Sequence, residues 1–375
     1  MTAAAGARAA GAGPARRMQL GRIALTLAIG AAGGALFRHF NLPLAWMIGA
    51  LFATTAASIA GVPLLAASRL RMIMVAVLGV MLGSAFSPAT AARIVTWWPT
   101  VAALALYIAV VTGLLTLYFR RVAGYDWVTA YFSASPGGLN EMVMVGSALG
   151  GNDRTIALVH AVRILLVVIA IPFGFVLFGG YQRGSAAPLG ISLIEYPLVD
   201  FAILTVCAVA GAVLARALRV PAALMVGPMV ASAAIHLAGV TASRPPGELV
   251  AAAQVVIGST LGARFAGIRP YQIARVALSS GGATVIMLAL TLGFSLALEP
   301  LAGSSMQATL LSFAPGGLAE MSLIALALHV DAAFVSTHHV VRIVLIVMLS
   351  PLLFRTIRGI RGRRKAPTVI TSDAD

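Results

Sequence analysis

The sequence predicts an all-α polytopic membrane protein made of two homologous repeats, and three observations carry that prediction. Of 375 residues, 60% are hydrophobic and only 10% are charged, whereas soluble domains average about 25% charged. Apolar stretches approaching the roughly 20 residues that a spanning helix requires run almost end to end from Leu20 to Phe354. The chain also matches itself at an offset of about half its length.

Four landmarks define that offset. Pro43-Leu-Ala-Trp-Met-Ile-Gly49 answers to Pro221-Ala-Ala-Leu-Met-Val-Gly227, 178 residues on. Gly79-Val-Met-Leu-Gly83 answers to Gly258-Ser-Thr-Leu-Gly262 at 179. At the same 179, Ser135-Pro-Gly-Gly-Leu-Asn-Glu-Met142 answers to Ala314-Pro-Gly-Gly-Leu-Ala-Glu-Met321, and His160-Ala-Val-Arg163 answers to His339-Val-Val-Arg342. Their order is kept throughout, which chance does not explain.

Each half holds six apolar segments, at 20–37, 42–60, 70–87, 95–119, 126–150 and 154–179, then at 196–217, 222–240, 248–266, 276–298, 305–328 and 333–354. The first follows an Ala/Gly/Arg-rich stretch, Met1 to Met18, and reads as a span rather than a cleaved leader because further spans follow it. The second and third carry the Pro43 and Gly79 landmarks, and the fourth stops at Arg120-Arg121. The fifth is interrupted at Pro136, and its counterpart at Pro315, where Pro-Gly-Gly disfavours a continuous helix. The sixth follows Asp153, its counterpart Asp331, and either aspartate suits a helix start. The resulting organisation is a disordered cytoplasmic N-terminus at 1–19, membrane repeats at 20–183 and 196–356, and a basic cytoplasmic tail at 357–375.

Whether the fifth segment crosses decides the topology, and the distribution of basic residues chooses between the cases. If it crosses, both halves have six spans in one orientation, and eight basic residues fall on the outer side. If it dips in and returns, each half has five spans and the second is inverted, which leaves only Arg38, Arg93, Arg183 and Arg244 outside. The inverted arrangement fits better. It places the protein in a bacterial inner membrane with both termini cytoplasmic. Inverted repeats with broken helices are the plan of many secondary transporters, whose solute sits near the midplane.

Candidate solute- or ion-binding residues follow from the breaks. An interrupted helix frees backbone groups where leaving them unpaired costs several kcal/mol each; facing half-helix ends offer partial charges to a solute. Ser133, Ser135, Pro136, Gly137, Gly138, Asn140 and Glu141 make the richer copy, against Ser312, Pro315, Gly316, Gly317 and Glu320 in the other. Glu141 and Glu320 sit in the first turn after Gly-Gly, suited to capping the half-helix or to a proton or coupling-cation role. His160 with Arg163, and His339 with Arg342, are spaced i, i+3 and share a helix face within apolar runs. Each buried arginine calls for a carboxylate or a bound anion, and Glu141 and Glu320 are the evident partners, in a solute site or in a purely structural lock.

Other classes find less support. The formal charge of +15 lies in loops and at the two ends, which is a topology signal, so no nucleic-acid partner is expected. The single cysteine, Cys207, lies in an apolar run and excludes an intramolecular disulfide. His338 and His339 are adjacent and face differently, while His39, His236 and His329 are scattered, so neither a metal site nor a cofactor is expected and an enzyme is disfavoured. The partners expected are the bilayer and a small polar or ionic solute.

The duplicated Pro-Gly-Gly-Leu-x-Glu-Met and His-x-Val-Arg-Ile, with Pro-x-x-x-Met-x-Gly near each start, resemble the AbrB-type duplicated integral membrane protein family over about Leu20 to Phe354. Members carry the labels regulator of gene expression, transition-state regulator and ammonia monooxygenase. The resemblance thus implies, as alternatives to a transporter, a membrane sensor acting on gene expression through a partner, and, more remotely, an oxygenase-type enzyme. In plan, the breaks also look like those of five-plus-five inverted-repeat transporters.

Overall fold

The computed structural model describes residues 12–178, 191–268, 270–301 and 303–364. These form helices and connections, with no strand among the described residues. In the first half the helices are α1 (Ala12–His39), α2 (Ala45–Ile59), α3 (Ser68–Gly83), α4 (Pro88–Ile94), α5 (Trp98–Arg121), α6 (Trp127–Ala134), α7 (Leu139–Ala148) and α8 (Asp153–Leu177). In the second they are α9 (Leu198–Ala217), α10 (Ala223–Leu237), α11 (Gly247–Gly262), α12 (Pro270–Leu298), α13 (Met306–Phe313), α14 (Leu318–Ala327) and α15 (Ala332–Arg364).

Among the described residues, six helices (α1, the run from α4 through α5, α8, α9, α12 and α15) are long and apolar enough to cross a membrane. The chain is a multi-pass membrane protein. Helices α2, α3, α10 and α11 hold 15, 16, 15 and 16 residues. At about 1.5 Å per residue each is shorter than the roughly 30 Å of hydrocarbon. Apolar runs in the sequence overstated these four, because turn residues at their ends, such as Leu42 to Leu44, Ala85 and Phe86, Ala238 to Val240, and Ala263 to Ala266, are largely apolar too. The stretch expected to be disordered up to residue 19 is helical from Ala12, and the basic tail expected from 357 continues α15 to Arg364; residues 1–11 and 365–375 lie outside the described residues.

The helices sort into two bundles. One is made of α1 to α3 and α9 to α11, in which α3 packs on α10 and α11 packs on α2, so the two halves interlock. Glycines set the closeness: a Cβ on Gly33 would strike the Gly49 carbonyl and one on Gly49 the Gly33 carbonyl, and Gly211 and Gly227 repeat the arrangement between α9 and α10. The turns into α2 and α10 match too, with Leu44 and Ala222 held at φ of 48° and 51°, a strained region for residues with a Cβ.

The second bundle contains α5 to α8 and α12 to α15. The Tyr107 hydroxyl on α5 lies 2.8 Å from Thr291 Oγ1 on α12, buried between them. Here the fifth segments break as the Pro-Gly-Gly motif predicts: α6 stops at Ala134 and α7 starts at Leu139, while α13 stops at Phe313 and α14 starts at Leu318. The first pair does not continue straight on. The Asn152 amide, just after α7, donates to Thr129 Oγ1 in the first turn of α6 at 2.9 Å, so the segment returns to the end at which it entered.

Candidate functional site

Helix α6 ends inside the protein, where its last carbonyls have no water to accept from. Two side chains of α8 satisfy them. His160 Nε2 donates to the Phe132 carbonyl at 2.8 Å, and Arg163 donates to the Ser135 and Gly137 carbonyls at 3.1 and 3.2 Å. The second half repeats each bond: His339 Nε2 to the Leu311 carbonyl at 2.9 Å, and Arg342 to Ala314 and Gly316 at 2.5 and 2.6 Å. The i, i+3 spacing aims each pair at one broken helix end. Both histidines are fully buried, and the arginines are 4% and 3% exposed.

This arrangement corrects the expected pairing. Among the described residues no carboxylate lies within 4 Å of Arg163 or Arg342 in an ion pair; such a pair joins Arg93 to Asp331 at 3.9 Å, at a helix end. The acceptors of the buried arginines are main-chain oxygens, and the Nε atoms of both guanidinium groups have no hydrogen-bond partner. The glutamates instead serve the starts of the other half-helices. Glu141 and Glu320 stand third in α7 and α14 and fold back so that each carboxylate occupies the space a Cβ on Gly138 or Gly317 would fill. A negative charge there is favoured by the helix dipole, and glycine is required beneath it.

Both breaks open on one cavity of about 420 Å³. Its wall includes Gly137, Gly138, Asn140, Glu141 and Arg163 from the first half and Gly316, Gly317, Glu320 and Arg342 from the second. Residues 179 apart in sequence thus share one space. Ser133, Ser135, Pro136, His160, Ser312, Pro315 and His339 do not line it. Ser135 and Ser312 turn back to the carbonyls four residues earlier, Tyr131 and Ala308, at 3.0 and 2.8 Å, and Ser133 is buried. Sequence reasoning missed Arg71, Arg216 and Arg264, which also line the cavity. Arg71 and Arg264 correspond to Val250 and Ala85 in the other half, so a search for duplicated charge passes over them.

A second cavity, about 510 Å³, lies at the other end of the helices, between Arg38 to Trp46, the end of α3 at Met81 to Ala85, the start of α11 and the end of α14. Much of its wall is the counterpart of the first cavity's wall: Arg38 stands for Arg216, Leu44 for Ala222, Ala85 for Arg264 and Gln254 for Val75. It reaches neither Pro-Gly-Gly turn.

Fold and cavity together define a helical multi-pass membrane protein with buried charge gathered at interrupted segments, a feature that membrane proteins reserve for polar work or for ion pairing. Its sequence places it more closely. The profile of the family described as "Transition state regulatory protein AbrB" matches residues 46–358, and the chain belongs to that family. It is 27% identical over 369 residues to "Uncharacterized protein YhjN" of Bacillus subtilis strain 168, covering 90% of this chain and 94% of that one. It is 24% identical over 353 residues to "Putative regulator AbrB" of Escherichia coli strain K12, covering 92% and 97%. No solved structure matches it.

Proposed function

We propose that the protein is a secondary transporter, not an enzyme, which carries a small polar or ionic solute between the two Pro-Gly-Gly breaks of an inverted repeat in a bacterial inner membrane. The observation that carries this is the meeting of both breaks, with Glu141, Glu320, Arg163 and Arg342, in one cavity that communicates with the surface at exposed Asn140 and Arg216. Support for inversion comes from equivalent residues at opposite ends: Arg38 and Ala85 beside one cavity, Arg216 and Arg264 beside the other. Two cavities with matching walls, one joined to the breaks and one stopping short of them, are what alternating access requires of a single state. The end bearing Arg71, Arg216 and Arg264 is then cytoplasmic, with both termini on that side, and the state is inward-facing.

The test is flux. Full-length protein in sealed vesicles takes up a solute from a panel of organic acids, amino acids and amines under an imposed proton or sodium gradient, and Glu141→Gln and Glu320→Gln each lower the rate. Absence of flux for the whole panel from folded, oriented protein overturns the proposal.

A second reading, a membrane sensor that regulates gene expression through a partner, draws on the family description and on the name of the Escherichia coli relative. Truncation after Arg355 separates the two: transcript changes without any change in flux favour the sensor.

A further inference from the structure

We infer that the cavity at the two breaks binds a small oxyanion, carboxylate or phosphate, in preference to a cation or a neutral solute. This deepens the transport reading and rests on it for its purpose. Charge is the first ground. Five arginines line the cavity, at 71, 163, 216, 264 and 342, against the two carboxylates of Glu141 and Glu320. Arg163 and Arg342 are buried while the other three stand nearer the surface, and such a concentration of positive charge around one cavity favours an anion over a cation within it.

The second ground is charge that its hydrogen-bond partners do not cancel. Arg163 and Arg342 give their terminal nitrogens to neutral carbonyls, so their charge is not cancelled. More than nine-tenths buried, the two guanidinium groups bring that charge to the cavity wall, while their unpartnered Nε atoms are enclosed by protein. The third ground is the two helix starts in the cavity wall. Gly138 and Gly317 cap α7 and α14 with no side-chain hydrogen bond, and each helix is ten residues long. The first-turn N–H groups of such helices are unpaired by construction, and their dipole favours negative charge. Glu141 and Glu320 take up part of that field but leave three guanidinium charges uncompensated. Val75, Ile164, Ile257 and Leu261 are among the apolar residues of the wall, a surface suited to the short hydrocarbon part of an organic acid. A volume of about 420 Å³ is in the usual range for a small-molecule site.

Equilibrium binding to the purified full-length protein in detergent tests this without requiring flux. The probes are succinate, inorganic phosphate and choline at matched ionic strength. Succinate or phosphate binds saturably, and Arg71→Gln or Arg264→Gln weakens it about tenfold, the loss of one charge-assisted contact; both arginines lie at the cavity rim, away from the carbonyl-holding pair. Arg38→Gln, in the opposite cavity, leaves the affinity unchanged. Binding of succinate alone marks an organic acid, and binding of phosphate alone a phosphate-bearing solute. Tighter binding of choline than of either anion overturns the inference, as does anion binding indifferent to both rim substitutions. Anion binding without flux removes the transport reading and keeps this one; cation flux without anion binding does the reverse; absence of both removes both.

Discussion

Replacing Arg342 by methionine tests what the buried arginines do. The guanidinium holds the Ala314 and Gly316 carbonyls at 2.5 and 2.6 Å, and it is 3% exposed. Methionine fills much of the same volume but donates nothing, so two carbonyls in the break after α13 are left without a donor. Each buried unsatisfied group costs about 1–3 kcal/mol, for a total of about 2–6 kcal/mol, and relief from burying an uncompensated charge returns part of it. The expected net loss is about 2–4 kcal/mol. Unfolding in mixed micelles, followed by tryptophan fluorescence, measures it. Arg342→Lys, whose single ammonium reaches one carbonyl at a time, falls in between. Glu320→Gln is the decisive comparison: with no ion pair to Arg342 within 4 Å, its cost stays below about 1 kcal/mol, whereas breaking a buried pair costs about 3–5 kcal/mol. If Glu320→Gln proves as damaging as Arg342→Met, the arginine is held by the carboxylate and the carbonyl-capping account is wrong.

Two further perturbations probe the scaffold and its orientation. Gly49→Leu and Gly227→Leu drive a side chain into the carbonyls of Gly33 and Gly211 and should abolish recovery of monodisperse protein, while Gly113→Ala and Gly293→Ala, with no neighbour within 4 Å of a new Cβ, should be neutral or stabilise by up to about 1 kcal/mol; equal yields for all four would dismiss the close-packed scaffold. In a Cys207→Ser background, Val122→Cys and Ser304→Cys occupy equivalent loops of the two halves and should label from opposite sides of the membrane with a membrane-impermeant thiol reagent; labelling from one side makes the repeats parallel.

The breaks were legible because proline and two glycines cannot sustain a helix, and their duplication at 179 residues marked them as equivalent. The pairing of His and Arg on one face was legible from i, i+3 spacing. Their partners were not. A carbonyl is present at every residue and leaves no mark in the sequence, so the only acceptors visible to a sequence reading were Glu141 and Glu320. Arg71 and Arg264 were hidden by the method that found the rest: their counterparts are apolar, so duplication did not point to them. Helix lengths in α2, α3, α10 and α11 were overestimated because hydropathy does not distinguish an apolar turn from an apolar helix.

One device accounts for the structure of the breaks and for the solute site proposed there. A helix interrupted in a low-dielectric interior presents a negative carbonyl end and a positive amide end at the same spot. The carbonyl ends of α6 and α13 draw in Arg163 and Arg342; the amide ends of α7 and α14 draw in Glu141 and Glu320. Each charge thus answers to backbone rather than to the other. Arginine and glutamate can therefore line one cavity without collapsing into a salt bridge that would fill it. On the proposed reading, the same four side chains cap the breaks and keep charge available to a solute, so a substitution that weakens the caps should alter ligand affinity as well. The rim arginines, which hold no carbonyl, are the positions at which affinity changes alone.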